Sequence, residues 1–366
     1  MQTIRLALLL SPMICAALAP TAMAETLVVD CGSGPYTTIQ AAINAANPGD
    51  EVLVMPCVYN EAITFKGPDY PVTVRSYAGA AQTTIDPNDP NSGAVRCVLG
   101  ETSATRLIGF TITGVHDNDD GGGMYNENSS PTVVNCIFFQ NIGAADGAGM
   151  YNLSSSPTVV NCAFIGNRVT VGNTHGGGML NNVGSAPLVV NCTFSGNSVP
   201  NGYGGGICNF VGSTPTLVNC VLWGNAVAGS TDETAQIYDD GSSATTLKYS
   251  CIQGCTAFCA DPGDHNIGDD PNFAFFRDGD FRLSRGSPCI DAGDSTAVPS
   301  GLFVDLGGLG RLLDDRETPD SGVPVGLVPV TVDMGAYEYF LLGDINGDGR
   351  VDFGDINAFV ALLTGL

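Results

Sequence analysis

Four near-copies of one segment follow each other across residues 121–225. They read GGGMYNENSSPTVVNCIFFQN, GAGMYNLSSSPTVVNCAFIGN, GGGMLNNVGSAPLVVNCTFSGN and GGGICNFVGSTPTLVNCVLWGN. Their equivalent cysteines, Cys136, Cys162, Cys192 and Cys220, set periods of 26, 30 and 28 residues. A repeat of that length is a coil that buries its apolar face against the next coil, so the chain is a solenoid.

Each copy holds short runs of β-formers broken by Gly, Asn, Ser and Pro, with no helical period of ten or more residues. Val133, Val159, Val189 and Leu217 share one position, and Phe138, Phe164, Phe194 and Leu222 share another. Side chains two apart on a strand share a face, so these are inward columns. Their drifting neighbours Ile137, Ala163, Thr193 and Val221 read as an outward column.

Three asparagine columns recur: Asn126, Asn152, Asn181, Asn209; Asn135, Asn161, Asn191, Asn219; and Asn141, Asn167, Asn197, Asn225. Asn tolerates the left-handed backbone of a tight corner, and stacked amides can bond from coil to coil. These columns mark structure rather than catalysis.

These residues resemble the right-handed parallel β-helix proteins of the pectate-lyase-like superfamily, secreted bacterial type. YTTIQAAINAANPGDEVLVMPCVYNE looks like that family's first strand and capping helix. DPNFAFF, DGDFRLSRGSPCIDAGD and VDMGAYEY look like its final coils. The resemblance implies an all-β fold, a right-handed parallel β-helix solenoid over residues 25–340 with an N-terminal cap and C-terminal closing coils. In the last segment, Asp291 and Asp333 read as closing turns and Arg311 as their ion-pair partner. It says little about activity, because the fold carries lyases, hydrolases, adhesins and structural proteins.

Residues 1–24 have the form of a secretory signal: Arg5, the apolar runs LALLL and ICAALA, then Ala22-Met23-Ala24 before Glu25. No other stretch is apolar for long enough to cross a membrane, so no transmembrane segment is expected after signal removal. The expected location is extracellular or at the cell surface. The net charge is −24, from 37 acidic against 13 basic residues. That balance excludes nucleic acid and anionic lipid as partners and suits calcium.

Export allows oxidation, and Cys31 with Cys57 and Cys255 with Cys259 are the best disulfide candidates. The repeat cysteines read as a buried thiol stack, with disulfides between adjacent coils geometrically conceivable. Cys251, Cys255 and Cys259 lack a clear fourth ligand for zinc.

The final segment reads GDINGDGRVDFGDINAFVALLTGL. Asp344, Asn346, Asp348, Gly349, Asp352 and Asp355 fall at positions 1, 3, 5, 6, 9 and 12 of a calcium loop, and Arg350 would offer its carbonyl. Ile356, Phe359, Val360 and Leu363 follow at helical spacing. With Asp at position 12 and no preceding helix, residues 341–366 resemble a single dockerin type I repeat. The resemblance implies a small loop–helix module that binds Ca2+ and attaches the chain to a cohesin-like or surface scaffold protein. Dockerins elsewhere carry two such repeats, and this chain has one.

Chemistry, if any, falls to the variable loops at 115–120, 142–146, 168–175, 198–203 and 226–233, which stacking lines up along one edge. Asp120, Asp146, His175 and Arg168 are the candidate catalytic groups, and His116, Asp119 and Tyr203 the candidate ligand-binding groups. Carboxylates can act as acid and base on a glycan or hold calcium against a uronate. The loops can equally form a non-catalytic ligand surface or simply face water. The resemblance implies a calcium-assisted lyase with an Arg or Lys base, or a hydrolase with clustered Asp. Here the only lysines are Lys66 and Lys248, Arg168 is the only base in the loops, and the hydrolase strings Gly-His-Gly and Arg-x-Lys are absent. The resulting reading is a secreted calcium-binding β-helix protein that recognises or processes extracellular polysaccharide. If it is an enzyme, it is a polysaccharide lyase or glycoside hydrolase. The alternative is a non-catalytic structural or adhesive surface protein.

Overall fold

The computed structural model describes residues 23–87, 93–114, 116–117, 121–143, 146–172, 174–275, 280–313, 315, 318–325 and 331–339. The expected signal, up to residue 22, and the expected calcium loop–helix of 341–366, with Asp344, Asn346, Asp348, Arg350, Asp352 and Asp355, lie outside these residues, as do Asp119 and Asp120.

The repeats form a parallel β-helix. Each coil contributes to four sides. Sheet A holds Thr132–Val134, Thr158–Val160, Leu188–Val190 and Thr216–Val218 within nine strands. Sheet B holds Ile137–Phe139, Ala163–Ile165, Thr193–Ser195 and Val221–Trp223 within eight. Sheet C holds Met124–Glu127, Met150–Leu153, Met179–Asn182 and Ile207–Asn209 within seven. A narrow sheet D of five strands holds Ile142–Gly143, Arg168–Val169 and Ser198–Val199. All strand pairs in these sheets are parallel and in register, so equivalent residues stand over one another: Val133 over Val159, Phe138 over Phe164, Asn126 over Asn152.

The inward columns are as the alternation predicts. Phe138, Phe164 and Phe194 are fully buried and stack with centroids 4.6 and 4.5 Å apart. The third glycine of each GGG passes so close to this column that no side chain fits. A Cβ on Gly123 would lie 2.4 Å from the Gly149 carbonyl oxygen and 2.9 Å from the Phe138 ring.

The three asparagine columns divide by role. Only Asn135, Asn161, Asn191 and Asn219, at the corner between sheets A and B, take the left-handed backbone (φ 51–55°). The other two columns point inward and form amide ladders. Asn126 donates to Asn152, Asn152 to Asn181 and Asn181 to Asn209 at 2.8–2.9 Å. Asn141, Asn167, Asn197 and Asn225 do the same at 2.8–3.0 Å, and each also donates to a backbone carbonyl of the preceding coil. The first ladder ends on the carboxylate of Asp239 and the second on the side-chain oxygen of Gln236. Among the described residues the opposite ends, Asn126 Oδ1 and Asn141 Oδ1, have no hydrogen-bond partner, as the first member of any one-way amide chain must.

The cysteine column stays reduced and buried. Each thiol lies 3.2–3.3 Å from the carbonyl two residues before it, and the backbone N–H groups of Cys136 and Cys162 donate to the sulfur one coil on. Ser250 takes over that acceptor role for Cys220. The two expected disulfides, Cys31–Cys57 and Cys255–Cys259, are formed.

Both ends of the solenoid are plugged. At the start, helix Ile39–Ala45 buries Ile39, Ala42 and Ile43. Thr38 caps it, and the Glu61 carboxylate accepts the N–H groups of Ile39 and Gln40. At the far end, the loop closed by Cys255–Cys259 packs Cys255 and Phe258 on the core. The Glu233 carboxylate fixes that loop by accepting from Thr256, Ala257 and Phe258.

The described residues after 270 differ from the expected closing coils. Phe273–Phe275 and Asp280–Leu283 make an antiparallel hairpin, and the chain then runs back as a strap along the side of the helix. The physical reason is the outward column of sheet B. Ala163, Thr193 and Val221 do face outward, yet they are buried, because Phe281, Leu283, Leu306, Met334 and Tyr337 cover this side of the helix. The strap is pinned to the left-handed corner: Asn161 donates to Val304 O, Asn219 to Asp294 O, and Ala336 N–H to Thr193 Oγ1. Arg311 is fully buried there. Its partner is Glu338, at 3.1 Å, rather than Asp291 or Asp333, whose carboxylates cap backbone turns. The guanidinium also donates to the carbonyl of Gly335 and meets the amide of Asn191.

Two outcomes follow for stability. Asn167→Ala leaves the Asn141 amide and the Phe138 carbonyl without their partners inside the core, and should cost about 2–4 kcal/mol in urea unfolding. Burial pushes the carboxyls of Asp305 and Glu338 up, and that of Asp333 up to about 7. A carboxyl with a raised folded pKa stabilises fully below its unfolded value of ~4, and that contribution is lost as pH rises through the folded value. The urea midpoint should therefore fall between pH ~5 and pH ~8, and Asp333→Asn should flatten the fall.

Candidate functional site

The strap covers the side of the helix around the A–B corner, and on the other side the chain makes loop excursions between sheets D and C. The chain leaves sheet D at Val169, makes an excursion, and returns to sheet C at Met179. Two successive excursions pair as strands Thr174–His175 and Gly202–Tyr203, forming a ridge. Gly202 has φ 145° and a Cβ there would lie within 1.9 Å of the Thr174 carbonyl oxygen, so glycine is what lets the two loops touch.

One flank of the ridge gathers Asp146, His175 and Tyr203, as the stacking of the loops predicts. Asp146 Oδ1 accepts the backbone N–H of His175 at 2.6 Å and lies 3.1 Å from its Nδ1. That pairing sets the ring's orientation and directs a proton on Nδ1 toward the carboxylate. The imidazole stacks on Tyr203 with centroids 5.6 Å apart and a 7° interplanar angle. Tyr203 stacks in turn on Tyr238 at 4.1 Å, and Phe210 meets His175 edge-on at 4.7 Å. Beneath this terrace Leu180 and Cys208 are fully buried although they lie on the outer face of sheet C. Tyr203 remains 47% exposed. The row continues along sheet C as Tyr151 and Tyr125, with Arg96 over the Tyr125 ring at 4.7 Å. Burial and the neighbouring Tyr203 raise the Tyr238 phenol, and burial beside Asp146 and Asp239 raises the Cys208 thiol.

Arg168 stands apart from this cluster. It is exposed on sheet D, where two shallow open grooves meet at it. One is lined by Thr170, Ser198, Pro200 and Ala228, the other by Thr113, Gln140 and Ile142. His116 is placed by its backbone alone, opposite Ile142 on the same sheet. Among the described residues no group of three or more His, Cys, Asp or Glu is arranged to hold a metal, and no helix is long and apolar enough to cross a membrane.

Phe210 and Tyr238 were not among the candidates. Phe210 occupies a position filled by Glu127, Leu153 and Asn182 in the other copies, so no column announced it. Tyr238 belongs to a fifth, degraded copy in which Ile237-Tyr238-Asp239 pairs with Ile207-Cys208-Asn209. Aligning AQIYDD with GGMYNE would have found it.

Comparison with protein families supports the architecture of the repeats. Residues 84–221 match the family described as right handed beta helix region. The crystal structure of pectate lyase Pel9A is similar in fold, with a TM-score of 0.46 and 16% identity over 86% of this chain and 96% of that one. A search of curated proteins finds no match. The described coils thus form a right-handed parallel β-helix, and the two disulfides fit an oxidising, extracellular setting.

The Asp146–His175 contact has a structural consequence that can be measured. Asp146→Ala leaves the His175 N–H without its acceptor and should loosen the ridge while the ladders persist. Amide exchange at residues 174–175 and 202–203 should accelerate by about an order of magnitude with exchange in sheet C unchanged.

Proposed function

We propose that this is a secreted polysaccharide-recognition protein whose ligand face is the loop ridge between sheets C and D. The observation that carries this reading is the terrace of Tyr203, Tyr238, His175 and Phe210, four rings in mutual contact and partly open to solvent. Aromatic rings with a polar tip offer apolar area and a hydrogen-bonding group at little entropic cost, which suits a sugar ring. The Asp146 carboxylate holds the ridge that carries these rings, through the His175 N–H and imidazole. The grooves at Arg168 would extend the contact along the axis on the other flank.

In the same reading, residues 341–366 bind Ca2+ through Asp344, Asn346, Asp348, Asp352, Asp355 and the carbonyl of Arg350, and attach the chain to a scaffold or surface.

Binding of the mature protein to a panel of neutral and acidic polysaccharides tests the central claim, with chain-length analysis of each polymer after incubation. Tyr203→Ala should weaken binding about tenfold with little change in melting temperature. Retention of no polysaccharide would leave the structural or adhesive alternative standing, and shortened chains would make the protein an enzyme. For the tail, calorimetric Ca2+ titration should show a site that Asp344→Ala with Asp355→Ala removes, while glycan retention is unchanged.

A further inference from the structure

We infer that the terrace selects uncharged pyranose chains and rejects polyuronates. This rests on the proposal that the ridge binds polysaccharide, and it follows from the charge and the backbone around the rings.

Carboxylates dominate the surroundings. Asp146 touches His175, and Asp239 and Asp240 lie close enough to act on the Cys208 thiol beneath the terrace. In the seven strands of sheet C the only basic residue is Arg96. It lies in register with Tyr125, Tyr151, Leu180 and Cys208, four strands away from the last of these. At the spacing of paired strands that is roughly 19 Å, about two screening lengths at physiological salt. Its guanidinium is already seated on the Tyr125 ring. A carboxylate-bearing sugar on the terrace would therefore find no Arg or Lys in this sheet beyond Arg96, Arg168 lies on the other flank of the ridge, and the net charge of −24 repels a polyanion at longer range. A neutral sugar carries no charge for these carboxylates to repel.

The backbone at the margin of the terrace points the same way. The turn that follows the sheet C strand of each of the four copies holds one left-handed residue: Asn128, Ser154, Val183 and Val211, with φ 49–54°. Asn suits that conformation, whereas a β-branched residue is an outlier there. Val183 and Val211 are nevertheless 46% and 57% exposed, on adjacent coils joined by the Gly184 N–H to the Val211 carbonyl. Val211 directly follows Phe210 of the terrace. Two strained, solvent-facing isopropyl groups lie beside the aromatic cluster, where the first two coils have Asn and Ser. Apolar groups in that position widen a surface for the C–H face of a sugar.

The test uses the full mature chain with calcium chelated, so that no ion bridges carboxylates. Cellohexaose, xylohexaose and mannohexaose are compared with hexagalacturonate by calorimetry at low and high salt. At least one neutral hexamer should bind with an affinity insensitive to salt, and hexagalacturonate at least about tenfold more weakly. Val183→Asn with Val211→Asn relieves the strain, so it should keep or raise the melting temperature while weakening the neutral ligand several-fold. Hexagalacturonate binding as tightly as the neutral hexamers would overturn this inference and leave the polysaccharide reading intact. Unchanged neutral binding in the double variant would overturn the part given to the valines. Binding of none of the four would overturn both readings.

Discussion

Parallel coils of this chain are held in register by amides that reach from one coil to the next. A sheet ladder alone tolerates slippage, because its hydrogen bonds are the same at every step of two residues. The inward Asn ladders do not. Moving one coil by two residues would put an apolar side chain against an amide and leave its donors and acceptor buried and unpaired. The phenylalanine stack beside them and the cysteine column at the A–B corner stay aligned only while that register holds. The ladders also require a direction and an end. Asp239 and Gln236 provide acceptors where the repeat stops, and the chain closes with a disulfide-bound plug immediately afterwards.

That rigid frame accounts for where exposure is permitted. The outer surface around sheet B is apolar and cannot face water over so large an area, so the chain returns as a strap and buries it. The anchor of the strap is an ion pair removed from solvent, Arg311 with Glu338, crowded by Asp305 and Asp333. Such a cluster adds less to net stability than its Coulomb attraction suggests, because desolvation opposes it. Its value lies in geometry: the guanidinium has partners on the strap and on Asn191 of the helix, fixing one against the other. The loop ridge between sheets C and D lies away from the strap and stays partly open to solvent. The rings on it sit on a support that cannot shift without breaking the ladders.

Repeat period, inward columns, ladder-forming asparagines and both disulfide pairs were legible in the sequence, because each depends on residues at fixed spacing or on neighbouring coils. So was the meeting of Asp146, His175 and Tyr203, since loops at equivalent positions of a solenoid must stack. What escaped was decided by contacts without a period. Nothing local marks Phe210 as a terrace residue, and Arg168 and His175, in one loop, face different flanks of the ridge. The sequence by itself thus determined the coil and its core, through the burial of apolar and amide columns at constant register. Only the tertiary structure decided that the C-terminal segment is a lateral strap rather than further coils, that Arg311 pairs with Glu338, and which edge stays open. Those outcomes depend on how distant segments compete to cover the exposed apolar surface of the helix, and no spacing along the chain encodes that competition.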